Sequence, residues 1–134
     1  MSLIDAIVVG GGPAGLYAGL KLAQAGFSVA LFEEHQTAGD PVHCTGVLAR
    51  EAFKEFGLST GSVLNELSTV KFYAPSGNKV EYSTPAVEAV VIDRMRFDQS
   101  LARNAAGAGV HTFSGQRVTS VDVDSDGVDR KSVV

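Results

Sequence analysis

Ile4-Asp5-Ala6-Ile7-Val8-Val9-Gly10-Gly11-Gly12-Pro13-Ala14-Gly15 is the stretch on which the reading of this chain turns. Its apolar residues run almost unbroken from Ile4 to Val9, as in a strand buried on both faces of a parallel sheet. Pro13 then falls where a helix can begin, since the first helical residue needs no N–H. Leu16, Leu20 and Ala23 recur three and four residues apart, the spacing of a helix packed on a sheet. Gly26 suits the end of that helix. Ser28 to Phe32 is a second apolar run, closed by Glu33. Strand, helix and strand within about 30 residues make one βαβ unit.

Gly10, Gly12 and Gly15 match G-x-G-x-x-G, and Glu33 follows 21 residues after Gly12, close to the ~20 expected for a dinucleotide site. Each position has a mechanical reason. Gly10 permits a tight strand-to-helix turn, Gly12 lets the backbone approach a pyrophosphate, and Gly15 lets the helix lie close on the strand. Free N–H groups and the positive helix end face the phosphates. Glu33 can accept from both ribose hydroxyls of an adenosine, and its charge disfavours the 2′-phosphate of NADP. The plain alternative is a tight βα turn with no ligand. FAD and NAD share an adenosine and a pyrophosphate, so the fingerprint alone does not separate them.

The composition of the 134 residues is that of an ordinary soluble globular domain. Hydrophobic residues are 45% and charged residues 19%, which excludes a disordered tail. A net charge of −4, with no basic stripe, argues against nucleic acid as a partner. One cysteine excludes a disulfide-stapled scaffold and weakly favours the cytoplasm. No apolar run approaches the roughly 18 residues of a membrane span.

Four segments are expected: the βαβ unit over 1–34, a loop and helix over 35–62, an antiparallel hairpin insertion over 63–89, and strand, helix, strand and the start of a meander over 90–134. Leu48, Ala52, Phe53 and Phe56 lie at helical spacing, with Gly57 as the stop. Val70, Phe72, Val80 and Tyr82 flank Pro75-Ser76-Gly77-Asn78, the pattern of a hairpin. A five-residue loop there would set Phe72 opposite Tyr82. Asp93 is a plausible N-cap for a helix whose Phe97, Leu101, Ala105 and Ala108 share a face. Val110 to Phe113 reads as a third parallel strand. Asp122, Asp124 and Asp126 imitate the start of a calcium loop but lack its closing glutamate, so a strand entering an Asp-Gly turn is the better reading. The three histidines lack metal-ligand spacing with Cys44.

Residues 4–33 resemble the first nucleotide-binding unit of FAD-dependent oxidoreductases of the glutathione-reductase and hydroxylase type. Pro41-Val42-His43-Cys44-Thr45-Gly46-Val47 resembles the Pro-x-x-Cys-x-Gly loop of the geranylgeranyl reductase family. Val91-Ile92-Asp93-Arg94, with Phe97-Asp98 and Leu101, resembles that family's next shared element, and so does Ala105 to Gly109. The resemblance implies FAD as cofactor and reduction of polyprenyl carbon–carbon double bonds by a reduced flavin, with transient membrane contact for so apolar a substrate. It places Gly10, Gly12, Pro13, Ala14 and Gly15 at the pyrophosphate and Glu33 and Glu34 at the adenosine. Cys44, Thr45, Gly46 and Val47 would line the middle of the FAD, Arg94 would reach it from the start of its helix, and Val118 would meet the adenine edge. No catalytic residue is assignable.

The residues also leave room for blander readings. Cys44 fits a small buried hydrophobe as well as a cofactor lining. Arg94 fits a solvated charge, although a cation at a helix start invites an anion. Tyr73, Tyr82 and Phe72 fit sheet packing or a substrate cavity equally. An aromatic hydroxylase or other flavin monooxygenase, and a non-catalytic NAD- or FAD-binding module, are the alternative functions. Nothing after Val118 resembles the family's second flavin motif. The expectation is therefore the incomplete N-terminal part of a longer reductase, inactive alone, with the first strand left as an open edge that invites association.

Overall fold

The computed structural model describes residues 3–124 and 127–129. The chain forms two compact units, one of residues 1–41 and 98–134, the other of residues 42–97.

The first unit is the α/β layer that the opening residues predict. Strand β1 (Ala6–Val9), helix α1 (Pro13–Gln24) and strand β2 (Val29–Glu33) form the βαβ unit, with β1 and β2 parallel and in the register Ala6↔Val29 to Val9↔Phe32. Helix α1 starts at Pro13 as expected. It ends in a Schellman arrangement, with Phe27 N–H donating to Leu22 O and Gly26 N–H to Ala23 O. The third parallel strand pairs with β2 on its far side, through Ala30↔His111 to Glu33↔Ser114. It covers His111–Ser114, one residue later than the apolar run suggests, because the Val110 N–H donates back to Ala105 O at 3.0 Å instead of joining the ladder.

Strand β2 is therefore central, and Val29, Ala30, Leu31 and Phe32 are all buried. Leu16 of α1, with Leu101 and Ala105 further along the chain, completes this core. Full burial of each large aliphatic side chain contributes roughly 1.5–3 kcal/mol. Gly19 permits the close approach of α1: a Cβ there would lie 3.6 Å from Val110 and 3.8 Å from Leu31. Phe32 stacks on Phe113 at 4.8 Å between ring centroids. Strand β1 pairs with β2 alone among the described residues, and Val9 on it is 55% exposed.

The second unit is antiparallel. Strands β3 (Val47–Ala49) and β4 (Val63–Leu67) flank a later strand, Ala89–Ile92, through Val47↔Val91 and Leu67↔Ala89. Val90 and Ile92 of that central strand are buried. Leu48 thus belongs to β3, not to the helix predicted from it. Helix α2 is shorter (Arg50–Glu55), and Phe53 alone carries its burial while Phe56 stays exposed. Its ring meets Phe97 at 6.4 Å between centroids.

Strands β5 (Thr69–Tyr73) and β6 (Lys79–Ser83) form the predicted hairpin with a corrected register. Phe72 opposes Val80 and Val70 opposes Tyr82. Tyr73 pairs with Lys79 and Ala74 N–H donates to Asn78 O at 2.8 Å, so the turn is centred on Ser76, one residue earlier than a pairing of Phe72 with Tyr82 requires. A shift of two residues changes partners but not faces. Val70, Phe72, Val80 and Tyr82 therefore share one exposed face, opposite Lys71 and Glu81, which pair at 3.4 Å.

With β7 now naming Ala89–Ile92, helix α3 (Arg94–Gly107) follows it and leads into β8 (His111–Ser114). Asp93 caps α3 as expected, its Oδ1 accepting from Arg96 N–H at 3.0 Å. Strands β9 (Asp122–Asp124) and β10 (Gly127–Asp129) pair antiparallel. Ser125 and Asp126 of the expected turn lie outside the described residues.

Candidate cofactor site

The strand-to-helix turn of the first unit has the geometry of a phosphate cradle. Gly10 adopts φ +104°, which side-chain-bearing residues rarely reach, and its N–H donates to Phe32 O at 2.8 Å. Gly12 is the N-cap of α1. A Cβ built on Gly12 meets no atom within 4 Å. Gly15 is the opposite case, since a Cβ there would collide with the Gly10 carbonyl and lie 3.3 Å from Val8. The turn therefore offers unblocked backbone at the positive end of a twelve-residue helix. Pro13 and Ala14 begin that helix, and Ala14 is exposed.

Glu33 ends β2 beside the turn. Its Oε2 accepts from the Gly11 N–H at 2.5 Å, and its Oε1 accepts from the His35 N–H at 2.8 Å and lies 2.6 Å from His35 Nδ1. Burial raises its pKa, but the His35 and Gly11 amides and the His35 ring outweigh burial, so the carboxyl titrates below its ordinary value. The carboxylate is thus charged and fixed in place at neutral pH.

Two cavities flank Glu33. One of about 140 Å³ is lined by Val9, Gly10, Phe32, Glu34, Arg117 and Val118 among others. The other, about 300 Å³, has Gly11, Gln36, Arg103, Thr112 and Ser114 in its walls. The fold therefore brings Gly10, Glu33, Glu34 and Val118 to one crevice at the carboxyl ends of the parallel strands, where ligands of open α/β sheets bind.

The remaining predicted residues lie in the second unit. Gly46 has φ +74°, and a Cβ on it would lie 2.5 Å from Ile92 O and 3.3 Å from Arg94 Cγ. It thus holds the Cys44–Val47 loop against the start of α3, with Ile92 N–H donating to Gly46 O at 2.8 Å. Cys44 is exposed, which overturns its reading as a small buried hydrophobe. Its Sγ accepts from Gly46 N–H at 3.4 Å. Thr45 and Val47 are exposed as well.

Two participants escape sequence reasoning. Gly11 occupies an unspecified position of the fingerprint, yet a Cβ there would lie 2.9 Å from the Glu33 side chain. The unbroken run Gly10-Gly11-Gly12, with a glycine where the fingerprint leaves the residue open, is the signal that could have found it. His35 had no signal, because its contact with Glu33 depends on how the chain leaves β2.

The sequence profile of a family described as FAD binding domain matches residues 4–133. Digeranylgeranylglycerophospholipid reductase of Methanosarcina acetivorans is 32% identical over 128 residues, covering 92% of this chain and 31% of the relative. The crystal structure of a geranylgeranyl bacteriochlorophyll reductase-like protein from Thermoplasma acidophilum superposes with a TM-score of 0.82 at 27% identity, over 90% of this chain and 32% of that one. That of p-nitrophenol 4-monooxygenase from Pseudomonas putida gives 0.73 at 20% identity, over 96% and 35%, and shows a shared fold only. This chain spans about a third of the length of each of these proteins. It is a member of the FAD binding domain family, and its cofactor is FAD.

Proposed function

We propose that this chain is the cofactor-holding part of a flavin-dependent oxidoreductase that saturates carbon–carbon double bonds of prenyl chains. The observation that carries the cofactor half is the open space at Gly12 beside a charged, fixed Glu33. The likeness to a digeranylgeranylglycerophospholipid reductase supports the substrate half. A reduced flavin supplies a hydride, which with one proton converts an alkene to an alkane.

The protein's own part is positioning. The Gly10–Gly15 turn receives the pyrophosphate, with Pro13 and Ala14 at the helix start beneath it. Glu33 holds the adenosine ribose, and Glu34 and Val118 border the base. Cys44, Thr45, Gly46, Val47 and Arg94 line the middle of the cofactor. Arg94 supplies positive charge, and Gly46 keeps the loop against it. A prenyl-lipid substrate fits a cytoplasmic protein in transient contact with a bilayer. Among the described residues no helix is long and apolar enough to cross a membrane.

Anaerobic reduction of the FAD-loaded protein, followed by mixing with a prenyl alkene, tests this reading. Flavin reoxidation with formation of the saturated product supports it. Substrate hydroxylation with oxygen derived from O₂ would instead establish the monooxygenase alternative.

A further inference from the structure

Resting on the FAD reading above, we infer that Arg117, anchored by Glu34, covers the adenine ring and makes the chain selective for the adenosine half of its cofactor. Arg117 Nη1 lies 3.5 Å from Glu34 Oε2, and both residues line the smaller cavity beside Glu33. That cavity is about 140 Å³, well below the roughly 300–1,000 Å³ of a site that encloses a drug-sized ligand. It suits one flat ring system, with the rest of the cofactor outside it.

Position selects the adenine as that ring. The base is one glycosidic bond from the ribose, and Glu33, which binds the ribose, forms part of the cavity wall. The walls are Val9 and Gly10 from the end of β1, Phe32 to Glu34 from the end of β2, and Gln116 to Val118 following β8. Val9, Phe32 and Val118 give it the apolar lining a base requires. The larger cavity also borders Glu33 and has Leu16, Leu31 and Ala102 beside Gln36 and Arg103 in its walls, but neither Arg117 nor Val118 reaches it, and it is about twice the volume one flat ring fills.

The slot is held open in advance. Gln116 N–H donates to Glu33 O at 2.8 Å and Gly115 N–H to His35 O at 3.1 Å, so the two loops that form its sides are tied together. The Glu34–Arg117 pair spans the same two loops. Its partners are 46% and 68% exposed, so as an ion pair it contributes little stability. Its effect is to hold a planar guanidinium over an aromatic face, the arrangement of a cation–π contact.

The test titrates the full chain with FAD, with ADP, which lacks the flavin, and with FMN, which lacks the adenosine. Arg117→Ala is expected to weaken FAD and ADP about tenfold each and leave FMN unchanged. The urea midpoint should not move, because Arg117 is exposed. Arg117→Lys keeps the charge but not the plane, and should resemble Arg117→Ala more than the parent. Glu34→Gln should cost FAD affinity about threefold by freeing the guanidinium. Parental FAD affinity in Arg117→Ala, equal losses for FAD and FMN, or full rescue by lysine would each overturn the inference while leaving the FAD assignment intact. A parent chain that binds neither FAD nor ADP would overturn both.

Discussion

Glu33 Oε2 lies 2.5 Å from the amide nitrogen of Gly11, 22 residues earlier in the chain. This contact ties the end of β2 to the phosphate turn after β1. The carboxylate proposed to hold the sugar and the backbone proposed to receive the phosphates are therefore one hydrogen-bonded assembly. A Cβ on Gly11 would lie 2.9 Å from Glu33 Cβ, so the absence of a side chain at residue 11 is a condition of that assembly.

Replacing Glu33 with Gln should reduce FAD affinity by about tenfold or more, equivalent to about 1.4 kcal/mol. The amide keeps the shape but loses the charge that strengthens each hydrogen bond. Equilibrium titration of flavin fluorescence measures the change.

The same residue sets a pH dependence. Its folded-state pKa lies below the unfolded value, so the stability it contributes is complete above the unfolded pKa of about 4.3. That contribution is lost as pH falls through the folded pKa. Urea midpoints recorded from neutral pH downwards should fall more steeply below about pH 4 for the parent than for Glu33→Gln.

Gly12 and Gly15 should separate binding from folding. Gly12→Ala places a methyl in open space, so stability should change by less than about 1 kcal/mol at this N-cap, while FAD affinity falls as the methyl meets the phosphates. Gly15→Ala drives a methyl into the Gly10 carbonyl and should destabilise the fold by about 1–3 kcal/mol. Chemical denaturation and FAD titration of the two variants give the comparison.

Asp93→Ala should cost about 1 kcal/mol, the usual effect of deleting an N-cap, because the Arg96 N–H loses its acceptor. Asp93→Asn or Asp93→Ser should restore most of it. Thermal unfolding of the three variants checks the order.

We propose that the open edge of β1 drives self-association. Ile7 and Val9 are part-exposed on a strand whose one described partner is β2, and unpaired strand edges invite further strands. Ile7→Lys should shift the chain toward monomer in light scattering at matched concentrations. Equal masses for parent and variant would refute the idea.

Much of the first unit was legible because its determinants are local. The strand, Pro13, the spacing of Leu16 and Leu20 and the acid at Glu33 all act within one βαβ unit, and Asp93 declares a helix start within three residues. The second unit was less legible because its pairings are distant. Nothing near Val47 or Leu48 says that they pair with Val91 and Val90, so Leu48 read as the start of a helix. The hairpin register failed for a related reason: Phe72 and Tyr82 share a face under either pairing, and only the tight turn closed by Ala74 and Asn78 chooses between them.

The order of residues alone determined the α/β class and the dinucleotide fingerprint, since these depend on hydrophobic period and on where a backbone can bend without a side chain. Tertiary structure alone decided that Gly11 and His35 hold the Glu33 carboxylate, and that Glu34 and Arg117 meet across one slot with Val118. The Gly11–Glu33 and Glu34–Arg117 contacts join the ends of strands that are neighbours only after the sheet has assembled, so their distances are set by parallel pairing and not by separation along the chain, while the His35 contact depends on the path the chain takes as it leaves β2.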